Sequence, residues 1–317
     1  MTDKISQINN INMRIPKVRG IIRKNFELSR LSWLKVGGPA EIFFQPEDED
    51  DLSFFLKNLE TNIPIFVIGA CSNLIIRDGG IPGVVIKLGK NFSTIKLNKT
   101  VVSVGAACRD SYLAQTCAKE GVDLSFLRTI PGNLGGAVKM NAGCYGSYLS
   151  DYLIGLTLIR RDGSIADMKA SDFKFSYRNS NIPDDAIITN VLLRKELDDP
   201  LRIEMKMTRA IDIRNLSQPT KDLSCGSTFR NPLGRSSLED KYDNDHSLKA
   251  WKLIDDAGLR GAKIGGAMVS KKHTNFLINT GNATAKDIED LGKFIIRKVK
   301  TNSGINLIWE VKRVGKY

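Results

Sequence analysis

Histidine is scarce in this sequence, and its cysteines follow no pattern that binds a metal. The 317 residues include two histidines, His246 and His273, which argues against a histidine-rich metal centre and against a Ser-His-Asp triad. The five cysteines are widely spaced, form no Cys-x-x-Cys pair and lie at no metal-ligand spacing from a histidine. We therefore predict no metal site, and we interpret the cysteines as reduced thiols in a reducing compartment.

Long apolar runs are absent as well. No stretch approaches the roughly 20 apolar residues that a helix needs to cross a bilayer. The first 20 residues contain no apolar segment of the kind that a secretory signal requires. Because this segment is basic and poor in acids, a transit peptide stays an alternative. The sequence otherwise predicts a cytoplasmic protein with no membrane insertion.

Positive charge predominates, with a formal net charge of +12. Lysine and arginine are dispersed, and their densest stretches, 14–24 and 194–214, lack the interleaved aromatic residues of a base-stacking platform. We therefore predict no nucleic-acid partner and keep a basic nucleic-acid-binding protein as a remote alternative. Anionic small ligands fit the charge balance better.

Strand-like segments and amphipathic helices alternate along the chain, which predicts a fold that mixes α and β. One predicted helix opens at Pro46 with acids in its first turn, where they complement the helix dipole. Further helices are predicted over 110–119, 201–216, 248–257 and 284–300. The chain is predicted to end in a strand over 307–311.

Residues 129–146 hold five glycines, and so many in one run need a structural reason. One interpretation is a tight connection between strands. The other is a cradle of backbone N–H groups that approaches a phosphate or a flat cofactor. A second small-residue turn, 69–73, follows the strand-like segment 65–68 and leaves the same two interpretations open.

Together, these two turns resemble the flavin-binding domain of the vanillyl-alcohol-oxidase/p-cresol-methylhydroxylase type. Four motifs narrow the resemblance, and in chain order they are Met140-Asn-Ala-Gly, Ser176-Tyr-Arg, Cys225-Gly-Ser-Thr-Phe-Arg-Asn-Pro and Glu310-Val-Lys-Arg-Val-Gly. The ordered set resembles the bacterial UDP-N-acetylenolpyruvoylglucosamine reductase family. The sequence lacks the extra tyrosine-bearing substrate loop of one subtype, which favours the shorter subtype.

The resemblance implies an α+β fold, with a flavin-binding domain of that type and a C-terminal α+β substrate domain. It divides the chain into an N-terminal extension at 1–25, an FAD-binding region at 26–200 and a substrate-binding domain at 201–317. The FAD-binding region would comprise two subdomains that meet near 90–100. The last strand of the substrate-binding domain would return to the active site.

The implied activity is a reduction in peptidoglycan precursor synthesis. NADPH reduces FAD, which then reduces the enolpyruvyl ether of UDP-N-acetylglucosamine to the lactyl ether of UDP-N-acetylmuramate. The expected partners are therefore this enolpyruvyl sugar nucleotide and NADPH, and the expected protein is a monomer. Another flavin oxidoreductase of the same fold, such as an oxidase, is the alternative.

Three catalytic residues are carried over from the family motifs. Arg178 matches an arginine whose bidentate fork suits the substrate carboxylate. Glu310 matches a glutamate held near that carboxylate, a role that requires it to be protonated or paired, with a raised pKa. Ser227 matches a serine that donates a proton to the substrate carbon, where a strongly basic carbanion makes a weak acid sufficient.

The same resemblance implies the residues that hold the ligands. The predicted cofactor-binding residues are Gly69, Ala70, Cys71, Ser72, Asn73, Pro131, Gly132, Gly135, Gly136, Asn141 and Gly143. Weaker predictions for substrate binding are Gln218, Arg230 and Asn231.

Two cysteines need separate interpretation. Cys71 stands where the family usually has glycine, and its side chain would crowd the turn unless it points away. Cys225 could be offered as a nucleophile, but its small neighbours and the lack of a nearby histidine favour packing.

Overall fold

The computed structural model describes residues 15–144, 146–233 and 246–317. Within these ranges it contains α-helices at Glu49–Asn58 (α1), Asp110–Lys119 (α2), Leu134–Lys139 (α3), Pro200–Ser217 (α4), Ala250–Asp256 (α5) and Ala285–Ser303 (α6). Helix α2 has its predicted bounds. Helix α5 is shorter than the predicted 248–257, and α6 extends three residues beyond its predicted end at Lys300.

Side-chain caps explain where three helices begin. Helix α1 starts at Glu49 and not at the predicted Pro46, because the Asp48 side chain accepts a hydrogen bond from the Asp51 N–H. Thr284 and Asp287 form the predicted capping box at the start of α6. Asp199 caps α4 by accepting from the N–H groups of its first turn.

The strands in the first half of the chain are Ile21–Glu27 (β1), Pro39–Gln45 (β2), Ile65–Ile68 (β3), Leu74–Ile76 (β4), Ile81–Lys87 (β5), Ile95–Leu97 (β6), Val101–Gly105 (β7), Gly143–Cys144 (β8), Ser147–Tyr148 (β9) and Leu153–Ile159 (β10). The later strands are Ile165–Lys169 (β11), Phe175–Ser176 (β12), Asn179–Ser180 (β13), Ile187–Arg194 (β14), Leu223–Ser227 (β15), Lys263–Ile264 (β16), Ala267–Val269 (β17), Phe276–Asn279 (β18) and Lys312–Val314 (β19).

These strands form three larger sheets. The first has the order β1-β2-β5-β3, the second β11-β10-β14-β7-β6 and the third β15-β18-β17-β16. Strand β1 begins inside the predicted extension at 1–25 and pairs antiparallel with β2. The second sheet is entirely antiparallel, whereas β2 and β3 run parallel to β5 in the first.

The prediction of a terminal strand at 307–311 is wrong in its position. Leu307 and Val311 are buried, but the strand is β19, Lys312–Val314, which pairs parallel with β4. The apolar pattern therefore identified buried side chains correctly, but the strand pairing begins only at Lys312, the residue after Val311.

The buried side chains form separate clusters. The largest combines the first two sheets with α1 and α2, and it includes Ile203 and Met207 of α4. A second cluster lies around α6 and the third sheet, but it also contains Leu34, Val36 and Ile75 from the first part of the chain. Helix α4 thus packs its buried face against the larger cluster.

A polar joint connects β4 to α6. Glu289 of α6 is fully buried, and its carboxylate accepts hydrogen bonds from Arg77 Nε at 2.7 Å and from the Tyr317 hydroxyl at 2.5 Å. The Asp78 carboxylate accepts from the N–H of Ala285 at 2.9 Å, at the N-terminus of α6. The end of β4 is therefore fixed against the helix that organises the second cluster.

Among the described helices, none is long and apolar enough to cross a membrane.

Candidate active site

The backbone at Glu310 lies against the predicted cofactor-binding turn at 69–73. Asn73 Nδ2 donates to the Glu310 carbonyl at 3.4 Å, and the Lys312 N–H donates to the Asn73 carbonyl at 3.1 Å. The parallel pairing of β4 with β19 continues this contact. The chain therefore brings its last motif next to one of the two predicted cofactor-binding turns.

Arg178 and Glu310 form an ion pair with 2.9 Å between Nε and Oε1. Both side chains are largely buried, with exposed fractions of 13% and 10%. Arg178 Nη2 also donates to the Gly143 carbonyl at 2.9 Å. Its remaining nitrogen, Nη1, is buried and has no hydrogen-bond partner in the described parts of the chain. The predicted bidentate fork is thus already partly used, and Nη1 is the nitrogen left to donate a hydrogen bond to a ligand.

The pKa of Glu310 is raised above its ordinary value of 4.5. Burial is the largest cause, and the charges of Arg178 and Arg230 oppose it. Desolvation disfavours the charged carboxylate, whereas a neighbouring cation favours it. Glu310 therefore meets both conditions that its role beside an anion requires, because it is paired and its protonated form is stabilised.

Arg178 lies in an unusual backbone conformation. Strands β12 and β13 pair Ser176 with Asn179, so Tyr177 and Arg178 make a two-residue hairpin turn. Arg178 has φ of 54°, in the left-handed region where glycine or asparagine is preferred. An arginine in such a position stores strain, which is typical of functional sites. The Arg178 guanidinium lies over the Tyr177 ring, 5.0 Å from its centroid.

Tyr177 is a site residue that the motif analysis did not single out. Burial, followed by the nearby charge of Glu310, raises the pKa of its phenol to about 12. A neutral phenol with a hydrogen-bond contact to the Asn231 backbone thus packs beside the ion pair. The sequence feature that could have identified Tyr177 is its position next to Arg178 in the Ser176-Tyr-Arg motif.

Ser227 ends β15 and lies next to the segment that carries Glu310. The N–H of Glu310 donates to the Thr228 carbonyl at 2.8 Å, and Phe229 pairs with Trp309. The pairing of β15 with β18 is irregular between Ser224 and Ser227, and Gly226 has φ of 82°. This local distortion changes the direction of the strand just before Ser227.

The three predicted substrate-binding residues lie in three different places in the structure. Arg230 Nη2 lies 3.5 Å from the Arg178 carbonyl, and its buried Nε has no hydrogen-bond partner in the described ranges. Asn231 Oδ1 accepts from the N–H of Ala250, so its side chain supports the start of α5. Gln218 lies at the end of α4, where its Oε1 accepts from Arg214. No described contact joins Gln218 to the ion pair.

The two small-residue turns touch each other. Ser72 Oγ donates to the Pro131 carbonyl at 2.7 Å, and a Cβ on Gly69 would lie 3.2 Å from Asn133 Oδ1. Asn73 Nδ2 also approaches Met140 Sδ at 3.8 Å. Residues 69–73 and 131–140 therefore form one continuous wall, which ends at the ion pair.

Asn141 fixes the far end of this wall. Its Nδ2 donates to the Ser176 carbonyl at 3.2 Å, and its Oδ1 accepts from the Ser150 N–H at 3.0 Å. Asn141 is buried and has φ of 45°. The Asn141 amide therefore orients the Ser176-Tyr-Arg turn, and in this way it supports the position of Arg178.

The glycines of the run at 129–146 have two different purposes. A Cβ on Gly135 would lie 3.0 Å from Ala106 Cβ, and one on Gly143 would lie 2.4 Å from the Ser147 carbonyl, so both are required by packing. A Cβ on Gly136, which is exposed, would meet nothing within 4 Å, and one on Gly132 would meet only two side-chain oxygens. The surroundings of Gly132 and Gly136 are thus compatible with a cradle for a cofactor. Those of Gly135 and Gly143 indicate a tight connection between packed segments.

The side chain at Cys71 does not crowd the wall. Cys71 has φ of 54°, is buried, and packs in a small apolar cluster with Leu28, Phe43 and Val85. Burial raises the pKa of its thiol to about 11. Burial likewise raises the pKa of the Cys225 thiol to about 12, which fits the packing interpretation and not a nucleophile.

The side chains that most often bind metals are dispersed in the described residues. Within 15–144, 146–233 and 246–317, no group of three or more His, Cys, Asp and Glu side chains is arranged to hold an ion. His273 packs against Trp251 and Phe276, and burial lowers its pKa to about 4. His273 is therefore a neutral structural residue.

Comparisons with known proteins cover nearly the whole chain. The profile of an FAD binding domain matches residues 40–169, and that of the UDP-N-acetylenolpyruvoylglucosamine reductase C-terminal domain matches residues 218–314. The UDP-N-acetylenolpyruvoylglucosamine reductase of Paracoccus denitrificans is 50% identical over 302 residues, which is 95% of this chain and 98% of that protein. The reductase of the same name from Ruegeria pomeroyi is 50% identical over 298 residues, 94% of this chain and 96% of its own length.

A solved structure agrees with these sequences. The crystal structure of UDP-N-acetylenolpyruvylglucosamine reductase from Thermus caldophilus has a TM-score of 0.78 and 32% identity, and the match covers 94% of this chain and 100% of that one. The predicted α+β fold with a flavin-binding domain is confirmed.

Proposed function

The chain belongs to the UDP-N-acetylenolpyruvoylglucosamine reductase family, and we propose that Arg178, Glu310 and Ser227 form the site where it reduces its enolpyruvyl substrate. The reaction converts UDP-N-acetylglucosamine enolpyruvate to UDP-N-acetylmuramate with FAD and NADPH. The observation that carries the assignment is that two guanidinium nitrogens, Arg178 Nη1 and Arg230 Nε, are buried without a hydrogen-bond partner in the described residues, while Arg230 Nη2 lies 3.5 Å from the Arg178 carbonyl oxygen. Buried donors without a partner are costly, and an anionic carboxylate is the ligand that would satisfy them.

The residues along the wall fit FAD. A Cβ on Gly136 would meet nothing within 4 Å, and one on Gly132 would meet only two side-chain oxygens, so the backbone here suits close approach of a dinucleotide and its flavin ring. Residues 69–73 would hold the cofactor from the other side, since Ser72 bonds directly to the glycine run. When bound, FAD supplies the hydride that NADPH provides to it.

Arg178 and Glu310 act on the substrate carboxylate and on the charge that develops there. Hydride addition to the conjugated double bond leaves an enolate-like dianion, which preorganised donors stabilise best in a dry site. The buried Arg178 guanidinium supplies such donors, and Glu310 holds it through Nε. Because burial raises the pKa of Glu310, it can share a proton with the anionic carboxylate instead of repelling it.

Ser227 completes the reduction by proton donation. Its hydroxyl lies on the segment that is hydrogen-bonded to the Glu310 backbone, so the proton donor and Glu310 come from neighbouring segments of the chain. The proton goes to the carbon that did not receive the hydride. A serine is a weak acid, and it suffices here because the carbanionic substrate is a strong base.

An anaerobic two-step assay tests the proposal. The bound flavin is first bleached with NADPH, and the enolpyruvyl sugar nucleotide is then added in the absence of oxygen. We expect the yellow absorbance to return with the stoichiometric formation of the lactyl ether. Reduced protein that stays bleached with this substrate and regains colour only with oxygen would instead favour an oxidase of the same fold.

The partners and setting follow from this reaction. A yellow purified protein argues against the nucleic-acid-binding alternative, and light scattering would check the predicted monomer. Cytoplasmic residence fits a reaction on nucleotide-linked precursors. The division of the chain at 25/26 and 200/201 also stays a prediction, which limited proteolysis would test.

A further inference from the structure

Asp110, the first residue of α2, carries a buried carboxyl group that the site described so far does not use. Its exposed fraction is 0%, and neither carboxyl oxygen has a hydrogen-bond partner in the described parts of the chain. Buried polar side chains nearly always have a partner, so an orphaned carboxyl group needs a physical explanation.

Asp110 lies at the junction of the two cofactor-binding turns. Its N–H donates to the Gly132 carbonyl at 3.3 Å, and Arg109 pairs with Asn133. A Cβ on Gly132 would lie 3.1 Å from Asp110 Oδ2 and 3.4 Å from Ser72 Oγ, with no other nonadjacent atom within 4 Å. The absence of a side chain at Gly132 therefore leaves a small opening bounded by two polar oxygens.

The ionisation state of Asp110 matters for what it can bind. Burial raises the pKa of Asp110 well above its ordinary value of 3.8, which favours the neutral form of the carboxyl group. An ionised carboxylate would repel a pyrophosphate, whereas a neutral carboxylic acid can donate its O–H to a phosphate oxygen.

We propose that Asp110 is a further FAD-binding residue, which donates a hydrogen bond to a phosphate oxygen of FAD across the opening at Gly132. The proposal rests on FAD binding by this chain. Asp110 would then be part of the same wall, next to the contact between Ser72 and Pro131. In the chain without cofactor, the orphaned carboxyl group costs stability, and the bound phosphate offsets this cost.

The test compares Asp110→Asn, which keeps a donor of the same shape, with Asp110→Leu, which removes it. The dissociation constant for FAD is measured by reconstitution of cofactor-free protein, and the thermal unfolding of that protein is recorded alongside. We expect the asparagine variant to bind FAD about as well as the wild type and the leucine variant to bind about tenfold more weakly. The cofactor-free leucine variant should unfold at the same or a higher temperature than cofactor-free wild type.

Two results would overturn the proposal. One is a leucine variant that binds FAD as tightly as the wild type. The other is a loss of stability in the cofactor-free leucine variant, because it would mean that the carboxyl group has a structural partner such as a buried water. Wild-type protein that takes up no FAD would instead refute the cofactor assignment itself, so the two failures are distinguishable.

A second variant keeps the test decisive should the leucine variant fail to fold. Gly132→Ala fills the opening, and we expect it to weaken FAD binding both in the wild type and in the Asp110→Asn background. Gly281→Ala is the matched control, because Gly281 also has positive φ, at 122°, and its Cβ would meet nothing within 4 Å. Equal losses from Gly132→Ala and Gly281→Ala would count against an opening with a binding role.

Discussion

The Arg178 guanidinium donates its Nε hydrogen to Glu310 Oε1 at 2.9 Å, across 132 residues of sequence. The contact joins a strained hairpin turn to the segment that precedes β19. Because each partner belongs to a different part of the fold, the pair is present only when both parts are correctly assembled. The pair therefore reports correct assembly of the two parts, and its proposed role in the reaction can be tested separately.

Two substitutions of Arg178 should lower activity to the same extent but differ in stability. We expect Arg178→Met and Arg178→Gly both to lower turnover by about 10²–10³-fold, as for the loss of an oxyanion donor. Glycine relieves the left-handed strain at this position, and methionine retains it, so the glycine variant should be the more stable of the two by about 1 kcal/mol. Steady-state rates and denaturant unfolding measure the two effects, and near-normal turnover in either variant would rule out the assigned role.

Ser227→Ala should stop one half-reaction and spare the other. The flavin should still be reduced by NADPH at the wild-type rate, because this step does not need the proton of the serine. Its reoxidation by the enolpyruvyl substrate should slow by about 10²–10⁴-fold, the usual contribution of a positioned acid. Stopped-flow absorbance separates the steps.

Ser224→Ala is the matched control for this variant, since Ser224 lies in the same strand but is buried. It should leave both half-reactions intact. Equal loss of both half-reactions in Ser227→Ala would refute proton donation as the role of this serine.

Two buried glutamates should respond to pH in opposite directions. The pKa of Glu310 is raised by burial, so its contribution to stability is present below its ordinary value of 4.5 and is lost as pH rises through the folded-state pKa. At Glu289, burial acts in the same sense but is outweighed by hydrogen bonds from Arg77 and Tyr317, so the pKa is lowered. Its contribution is therefore present above 4.5 and is lost as pH falls through the folded-state pKa.

Glutamine substitutions measure these contributions. As pH rises from about 2 to about 8, Glu310→Gln should become more stable relative to the wild type, and Glu289→Gln should become less stable. Thermal unfolding across this range checks both signs in one experiment. The same trend in both variants would contradict the assigned environments.

Gly136→Val should give protein that binds little flavin but folds normally. The added side chain would meet no atom of the chain within 4 Å at its Cβ, so its effect should fall on a bound cofactor and not on packing. Gly292→Ala provides the contrast, because its Cβ would lie 2.1 Å from the Trp309 ring and should lower the unfolding temperature. Flavin content per chain and cofactor-free unfolding distinguish the two. Full occupancy in Gly136→Val would contradict the cradle.

The local elements were the most predictable part of the fold. Helix α2 has its predicted bounds and α6 its predicted capping box, because caps and apolar stripes act over a few residues. The last strand was placed too early, since the pairing of β19 depends on β4, more than 200 residues away, and no local pattern encodes that partner. Strand β1 was missed because its side chains are mostly exposed and carry little apolar alternation.

The site was predictable in its residue types but not in its connections. Motif resemblance supplied Arg178, Ser227 and Glu310, yet nothing in the motifs indicates that Arg178 Nη2 is committed to the Gly143 carbonyl. Asp110 was hidden because an acid at a helix start is usually explained by the helix dipole. Only its burial and its unpartnered oxygens distinguish it from such an acid.

The contact between Asn73 and Glu310 spans 237 residues, and it has a consequence for synthesis. Contacts this distant in sequence form late, because closing so long a loop costs entropy that few early interactions offset. The turns at 69–73 and 131–140 are synthesised well before the segment that carries Glu310 can join them. The Arg178–Glu310 pair can therefore form only after the last motif of the chain has been made.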